Sequence, residues 1–182
     1  MNKNIIFGLT GSIACYKACN VISKLIQKNN NIQCILTKNA LNFIGKSTLE
    51  GLTKNEVLVD MFENKSYTKH IELSKWADIA IVCPATANII NKFANGIADD
   101  FLTTFFLSWE IGKKPFLIFP AMNENMYLHP VTQKSINYLK SIGVYISETG
   151  SGYLSCGEKG IGRLLEPDEI LNIVKNYLWK PY

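Results

Sequence analysis

Short runs too apolar to lie on a half-exposed sheet alternate along this chain with segments of helical period. That alternation restricts the fold more than any other feature. The runs at 5–10, 33–37, 79–83, 116–119 and 144–146 are rich in Ile, Val and Phe, the composition of strands covered on both faces. Helical patterns lie at 88–95, 99–110, 132–141 and 167–178, the last with Pro167 in its first turn. An earlier helix is expected to start at Ser12 as its cap and to bury Ile13, Tyr16, Val21, Ile22, Leu25 and Ile26. The stretch 45–77 is less regular, with a short helix expected near 47–53 and irregular chain around 64–69. The order predicts an α/β domain, a doubly wound parallel sheet between two helical layers.

Composition narrows the function. The 182 residues contain no linker-like tract and no repeat, and their 47% hydrophobic content suits one ordinary core. No apolar run approaches the roughly 20 residues of a membrane span. The first 15 residues faintly imitate a signal peptide ending in Ala14-Cys15, but Gly8, Thr10, Gly11 and Ser12 interrupt the apolar stretch. Five cysteines without a CxxC pair, and only two histidines, predict neither a disulfide framework nor a metal site. A reducing cytoplasm is the expected setting. The net charge of +4 comes from scattered lysines, so no nucleic-acid partner is expected. Arg163 is the single arginine among 19 basic residues. It is either a planar fork kept for a carboxylate or phosphate, or an ordinary surface cation.

Ligands of open parallel sheets bind beyond the carboxyl ends of the strands. The unusual residue clusters fall at those ends: Leu9 to Ser12 after the first strand and Thr37-Lys38 after the second, then Pro84 to Asn88 and Pro120 to Asn123. One shared crevice is therefore expected. The GLTGSIA turn offers backbone N–H groups at a helix start, which suit a phosphate, although a tight strand–helix turn needs no ligand. It is not a full GxGxxG, and Thr37 stands where a dinucleotide site often carries an acid. The pattern points away from NAD and towards a mononucleotide phosphate held by hydroxyls. His70, in the KHIELSKWAD segment ahead of the third strand, is a proton shuttle by type or simply a surface group in a loop. Five of the twelve glycines lie between Gly150 and Gly162. They predict a mobile loop or flap at about 148–163. Cys156 lies inside it, whereas Cys15, Cys19, Cys34 and Cys83 read as small core residues.

Taken together, the TGSIA turn, His70, PATAN with the downstream GIADDFLTT, PAMNENM and the SCGEKGIGR flap resemble the homo-oligomeric, flavin-containing cysteine decarboxylase family over nearly the whole chain. Tyr127 departs mildly from the Trp that many members carry. The resemblance implies a single FMN-binding domain over 1–182 with a Rossmann-like (flavodoxin-like) three-layer fold and a substrate flap at 148–163. It implies decarboxylation of 4′-phosphopantothenoylcysteine to 4′-phosphopantetheine in coenzyme A biosynthesis, through a thioaldehyde and an enethiol. In that scheme His70 is the base, Cys156 donates the last proton, and Asn123 holds the substrate carboxylate, with Met126 beside it. Gly11, Ser12, Ile13 and Thr37 would hold the FMN phosphate end, and Ala85, Thr86, Ala87 and Asn88 would line the flavin ring. Apart from the resemblance, Arg163 closes the flap sequence and is expected on that ground to meet the substrate phosphate. A homo-oligomer, a trimer or a dodecamer of trimers, is implied, as are a cytoplasmic setting and no membrane partner. Members often carry a synthetase domain downstream, so either a separate ligase supplies the substrate or the 182 residues are part of a longer chain.

Other readings share parts of this pattern. A peptidyl-cysteine decarboxylase has the same base and PAMN segment but releases its enethiol unreduced, with little use for Cys156. A flavin prenyltransferase should lack the His70 and Asn123 contexts. A non-catalytic flavin-binding regulatory protein is expected to have lost one of the three catalytic candidates, and a flavodoxin-like electron carrier to be acidic.

Overall fold

The computed structural model describes residues 2–62, 67–153 and 159–178, without the side chains of 153 and 159. Five parallel strands form the sheet: β1 (Asn4–Leu9), β2 (Asn31–Leu36), β3 (Ile79–Ala85), β4 (Phe116–Pro120) and β5 (Tyr145–Ile146), in the order β2-β1-β3-β4-β5. Chain order reverses between β1 and β3, so the sheet has a switch point there and opens a crevice at its carboxyl edge.

Alternation along the strands supplies two cores. Ile5, Phe7 and Leu9 face α1 (Cys15–Ile26), α2 (Lys46–Thr53) and, at the end of the chain, α8 (Pro167–Leu178). Ile6, Ala80 and Val82 face α3 (Lys69–Trp76), α4 (Ala87–Ala94), α5 (Phe101–Ser108) and α7 (Pro130–Ser141). On that side Phe93 stacks on Phe106 at 4.2 Å between ring centres, and Phe116 meets both edge-on. Tyr127, on the short α6 (Glu124–Leu128), is buried in the same cluster. Helix starts follow local chemistry. The Thr86 side chain accepts from Ile89 N, and Asp100 and Thr103 form a capping box. His129 Nδ1 accepts from Val131 N ahead of Pro130, so the second histidine has a structural task.

Four expectations change. Helix α1 begins at Cys15 with no side-chain cap, and Ser12 Oγ instead accepts from Ala14 N at 3.3 Å. Its buried face is Cys15, Ala18, Val21, Ile22 and Leu25, while Ile13 and Tyr16 are 56% and 61% exposed. Small Cys and Ala let the helix lie close to the sheet, which turns the two larger residues outward. The region around His70 is helical rather than loop, since α3 begins at Lys69. The glycine-rich segment contains two paired antiparallel strands, β6 (Gly150–Tyr153) and β7 (Lys159–Arg163). Among the described residues no helix is long and apolar enough to cross a membrane.

Candidate active site

Hydroxyls stitch the strand ends together. Thr10 Oγ1 donates to Pro84 O at 2.8 Å and accepts from Thr86 N at 3.0 Å, which locks the loop after β1 to the loop after β3. Thr37 N donates to Leu9 O at 3.1 Å, which brings the end of β2 alongside. Gly11 completes the corner: a Cβ there would stand 2.7 Å from Asn39 Cβ, so only glycine lets the two loops close.

Two cavities open on this corner, sharing Gly11, Thr86 and Met126. The first, about 460 Å³, is walled by Thr10, Thr37, Lys38, Asn39, Asn88 and Phe62, among others. Its lysines are already paired, Lys38 with Asp60 at 3.5 Å and Lys92 with Asp99 at 2.7 Å. The hydrogen bond from Lys92 holds the Asp99 carboxyl below the usual carboxylate range. Asp100 is occupied in capping α5. Thr37 Oγ1 is different, being buried with no hydrogen-bond partner among the described residues. A buried hydroxyl left unpaired costs stability unless something else completes it. On the wall of a polar cavity beside a helix start, it fits a phosphate oxygen.

The second cavity, about 720 Å³, is broader and more apolar, lined by Ile13, Tyr16, Phe43, Ala121, Met122 and Met126. Ser12 and Asn123 contribute polar edges, and its two charged wall residues, Lys17 and Arg163, are both cations. Asn123 follows β4, and its Oδ1 accepts from Asn125 N at 2.8 Å, which fixes the side chain at the start of α6.

Strand β7 is fastened to the same segment. Met122 N donates to Gly162 O at 2.9 Å, Ile161 N to Glu124 Oε1 at 3.2 Å, and Gly162 N to Thr149 Oγ1 at 3.0 Å. Gly162 has φ +107°, and a Cβ on it would be driven into the Met122 carbonyl oxygen. The flap root therefore forms one wall of the second cavity, rather than a free loop.

The structure brings together Gly11, Ser12, Ile13, Thr37, Thr86, Asn88, Asn123, Met126 and Arg163, all on one cavity or the other. Ala85 and Ala87 are buried beneath the corner and line neither. His70 also lines neither; its carbonyl accepts from Ser108 Oγ at 3.2 Å, at the end of α5. Cys156 lies outside the described residues. The other cysteines behave as core: burial pushes the Cys15 thiol up to about 11, and raises those of Cys34 and Cys83 further.

Several wall residues escaped sequence reasoning, among them Asn39, Phe43 and Lys17. Only Lys17 left a visible signal. It shares the i, i+4, i+8 row with Val21 and Leu25 and so places a cation in an apolar helix stripe.

The model of the family described as Flavoprotein matches residues 1–178. The coenzyme A biosynthesis bifunctional protein CoaBC of Bacillus subtilis is 43% identical over 178 residues, 97% of this chain and 43% of that protein. The chain thus spans less than half the length of that relative. Among solved structures, a cysteine-to-serine variant of PPC decarboxylase complexed with pantothenoylaminoethenethiol superposes with a TM-score of 0.86 at 25% identity, covering 99% of this chain and 100% of that one. The FMN binding protein AtHal3 gives 0.85 at 28% identity, with both chains fully covered, at 100% each.

Proposed function

The chain belongs to the Flavoprotein family, and from that premise we propose that it binds FMN and decarboxylates 4′-phosphopantothenoylcysteine to 4′-phosphopantetheine. The observation that carries this reading is the pair of adjoining cavities, one ending on the unpaired Thr37 hydroxyl and the other on Asn123. The similarity to CoaBC and to PPC decarboxylase supplies the substrate class.

The cofactor's phosphate end would sit on Thr37 Oγ1 and the loop at Gly11 and Ser12, with Thr86 and Asn88 on the way to the second cavity. When bound, the flavin supplies a reversible two-electron sink that makes the substrate carboxylate a good leaving group. The protein's own residues orient and protonate. Asn123, fixed by Asn125 N, presents its amide to the substrate carboxylate. The apolar wall of Ile13, Phe43 and Met126 keeps water from the reacting carbon. His70 is the base and Cys156 the last proton donor.

Because His70 lies off both cavities, this scheme calls for a second copy of the chain to deliver it. The exposed Ile13, Tyr16, Phe43 and Met126 around the mouth support a homo-oligomer with the site at a subunit boundary. The reading also places the enzyme in the cytoplasm, where buried thiols such as Cys15, Cys34 and Cys83 persist reduced.

The test is to record the visible spectrum of the purified protein, add 4′-phosphopantothenoylcysteine and weigh the products. A yellow protein that forms 4′-phosphopantetheine, while Cys156→Ser stops at a species two hydrogens lighter, supports the assignment. A yellow protein inert towards this substrate would sink it and favour a peptide substrate. Mixing His70→Asn with Asn123→Ala protein should restore part of the activity if the site is shared between copies, and none if each chain acts alone.

A further inference from the structure

Lys17 is a cation where α1 should be apolar. Its side chain is only 7% exposed, and its Nζ donates to Glu166 Oε1 at 2.7 Å. Arg163 Nη2 donates to the same oxygen at 2.9 Å. Glu166 precedes α8, and its backbone N–H donates to Glu169 Oε2 at 2.8 Å, so its position is fixed by the helix start. Arg163 packs across the facing strand. Gly152, on that strand, has φ +149°, and a Cβ there would stand 2.8 Å from Arg163 Nη1. The guanidinium thus occupies space that only a glycine leaves open.

Three elements, α1, β7 and the start of α8, therefore converge on one carboxylate oxygen. Both cations line the second cavity while the carboxylate does not. Among the described residues, two cations against one anion leave an excess positive charge facing the cavity. In a partly desolvated wall, that excess favours a second anion with several acceptor oxygens. A phosphomonoester fits, since it offers three oxygens to an ammonium and a planar fork.

We propose that Lys17 and Arg163 form a subsite for the phosphomonoester end of the substrate, with Glu166 as a resident carboxylate that keeps both cations in place until the phosphate takes them over. This rests on the proposed function for the identity of the substrate and adds to it Lys17, Glu166 and an exchange of anions. The cofactor also carries a phosphomonoester, but the unpaired Thr37 hydroxyl and the Gly11 corner lie on the other cavity. The substrate's phosphate is left for this one. Glu166 acts as a positioning residue, in competition with the ligand. The hydrogen bond from Lys17, followed by its charge and that of Arg163, holds the Glu166 carboxyl below the ordinary range, so it stays an anion throughout neutral pH.

The experiment is calorimetric titration of the flavin-loaded protein with 4′-phosphopantetheine and with pantetheine, so no turnover is needed. The wild type should prefer the phosphorylated ligand by about 10-fold or more, as charge-assisted hydrogen bonds to a phosphate require. Lys17→Met and Arg163→Gln should each remove most of that preference and leave pantetheine binding unchanged, and Arg163→Lys should recover part of it. Glu166→Gln should tighten the phosphorylated ligand several-fold by removing the competitor, whereas a purely structural role would weaken it. Equal losses on both ligands, no preference in the wild type, or weaker binding in Glu166→Gln would overturn the subsite. Loss of bound flavin from Lys17→Met or Arg163→Gln would also overturn it, by assigning the cations to the cofactor's phosphate. Circular dichroism checks that Lys17→Met is folded; if it is not, the half-exposed Arg163 variants and Glu166→Gln decide. An enzyme inert towards 4′-phosphopantothenoylcysteine that still shows this binding pattern would refute the reaction and keep the subsite.

Discussion

The two cavities meet along Gly11, Thr86 and Met126, yet they treat charge differently. In the first, both lysines are matched by acids within the wall, and what remains is a hydroxyl without a partner. In the second, the wall is apolar and its two cations share one carboxylate that lies outside it. A pocket whose lysines are already paired, with an unsatisfied neutral hydroxyl, suits a cofactor that is bound and kept. A cavity with excess charge and a movable counter-anion suits a ligand that arrives and leaves.

That division is sharpest at the shared corner. Gly11→Ala would push a Cβ into Asn39 and force apart the loops after β1 and β2. Overpacking of this kind costs about 1–3 kcal/mol, so flavin affinity should fall on the order of 100-fold. Fluorescence titration of the apoprotein with FMN measures it. If FMN binds undiminished, the first cavity is not the cofactor's site. Gly162→Ala should act on the other side only. Positive φ costs roughly 1–2 kcal/mol for a non-glycine residue, and the Met122 carbonyl lies in the way. The expected result is a KM raised about 10-fold or more with flavin content unchanged. Flavin loss in this variant would mean that the two cavities work as one.

Thr37→Val gives a smaller and cleaner separation. It removes a buried hydroxyl that has no partner among the described residues. Apoprotein melting should hold or rise slightly, while FMN binds about 10-fold more weakly, the usual worth of one hydrogen bond to a charged group. A drop in apoprotein stability would show that the hydroxyl has a structural partner and is not reserved for a ligand.

The division was only partly legible in the sequence. The sheet was readable because strands buried on both faces need uninterrupted Ile, Val and Phe, and the 79–83 and 116–119 runs could hardly be anything else. The strand-end clusters were readable because the topology sends every loop to one edge, which is why Thr37 and Asn123 were found. The phase of α1 was not. Hydrophobicity favoured Ile13 and Tyr16 as core, but close packing selected the smaller Cys15 and Ala18, and the two larger residues became cavity wall. The helix around His70 was hidden by a weak apolar pattern, with Leu73 its one fully buried residue. Lys17, Gly152 and Glu166 are far apart in the chain, and only the fold shows that Glu166 joins Lys17 to the Arg163 guanidinium that Gly152 accommodates.

The smallest expected effect tests the carboxylate on which the second cavity's charge depends. The folded-state pKa of Glu166 is depressed, first by the Lys17 hydrogen bond and then by the charges of Lys17 and Arg163. The unfolded chain therefore binds the proton more readily, and the ion pairs stabilise the fold above the ordinary carboxylate value of 4.5. That contribution disappears as pH falls through the depressed folded value. With the Glu166 side chain 53% exposed, solvent screening limits it to less than about 1 kcal/mol. The melting temperature of wild type should exceed that of Glu166→Gln slightly above the ordinary carboxylate value of 4.5, and the gap should close as pH falls through the depressed folded value. Near-neutral salt should narrow it too, because one partner is open to solvent. A gap that persists in acid would mean that the Glu166 side chain stabilises the fold through neutral contacts rather than as an anion. In that case the two cations of the second cavity would be held by geometry alone, without a counter-charge for a phosphate to displace.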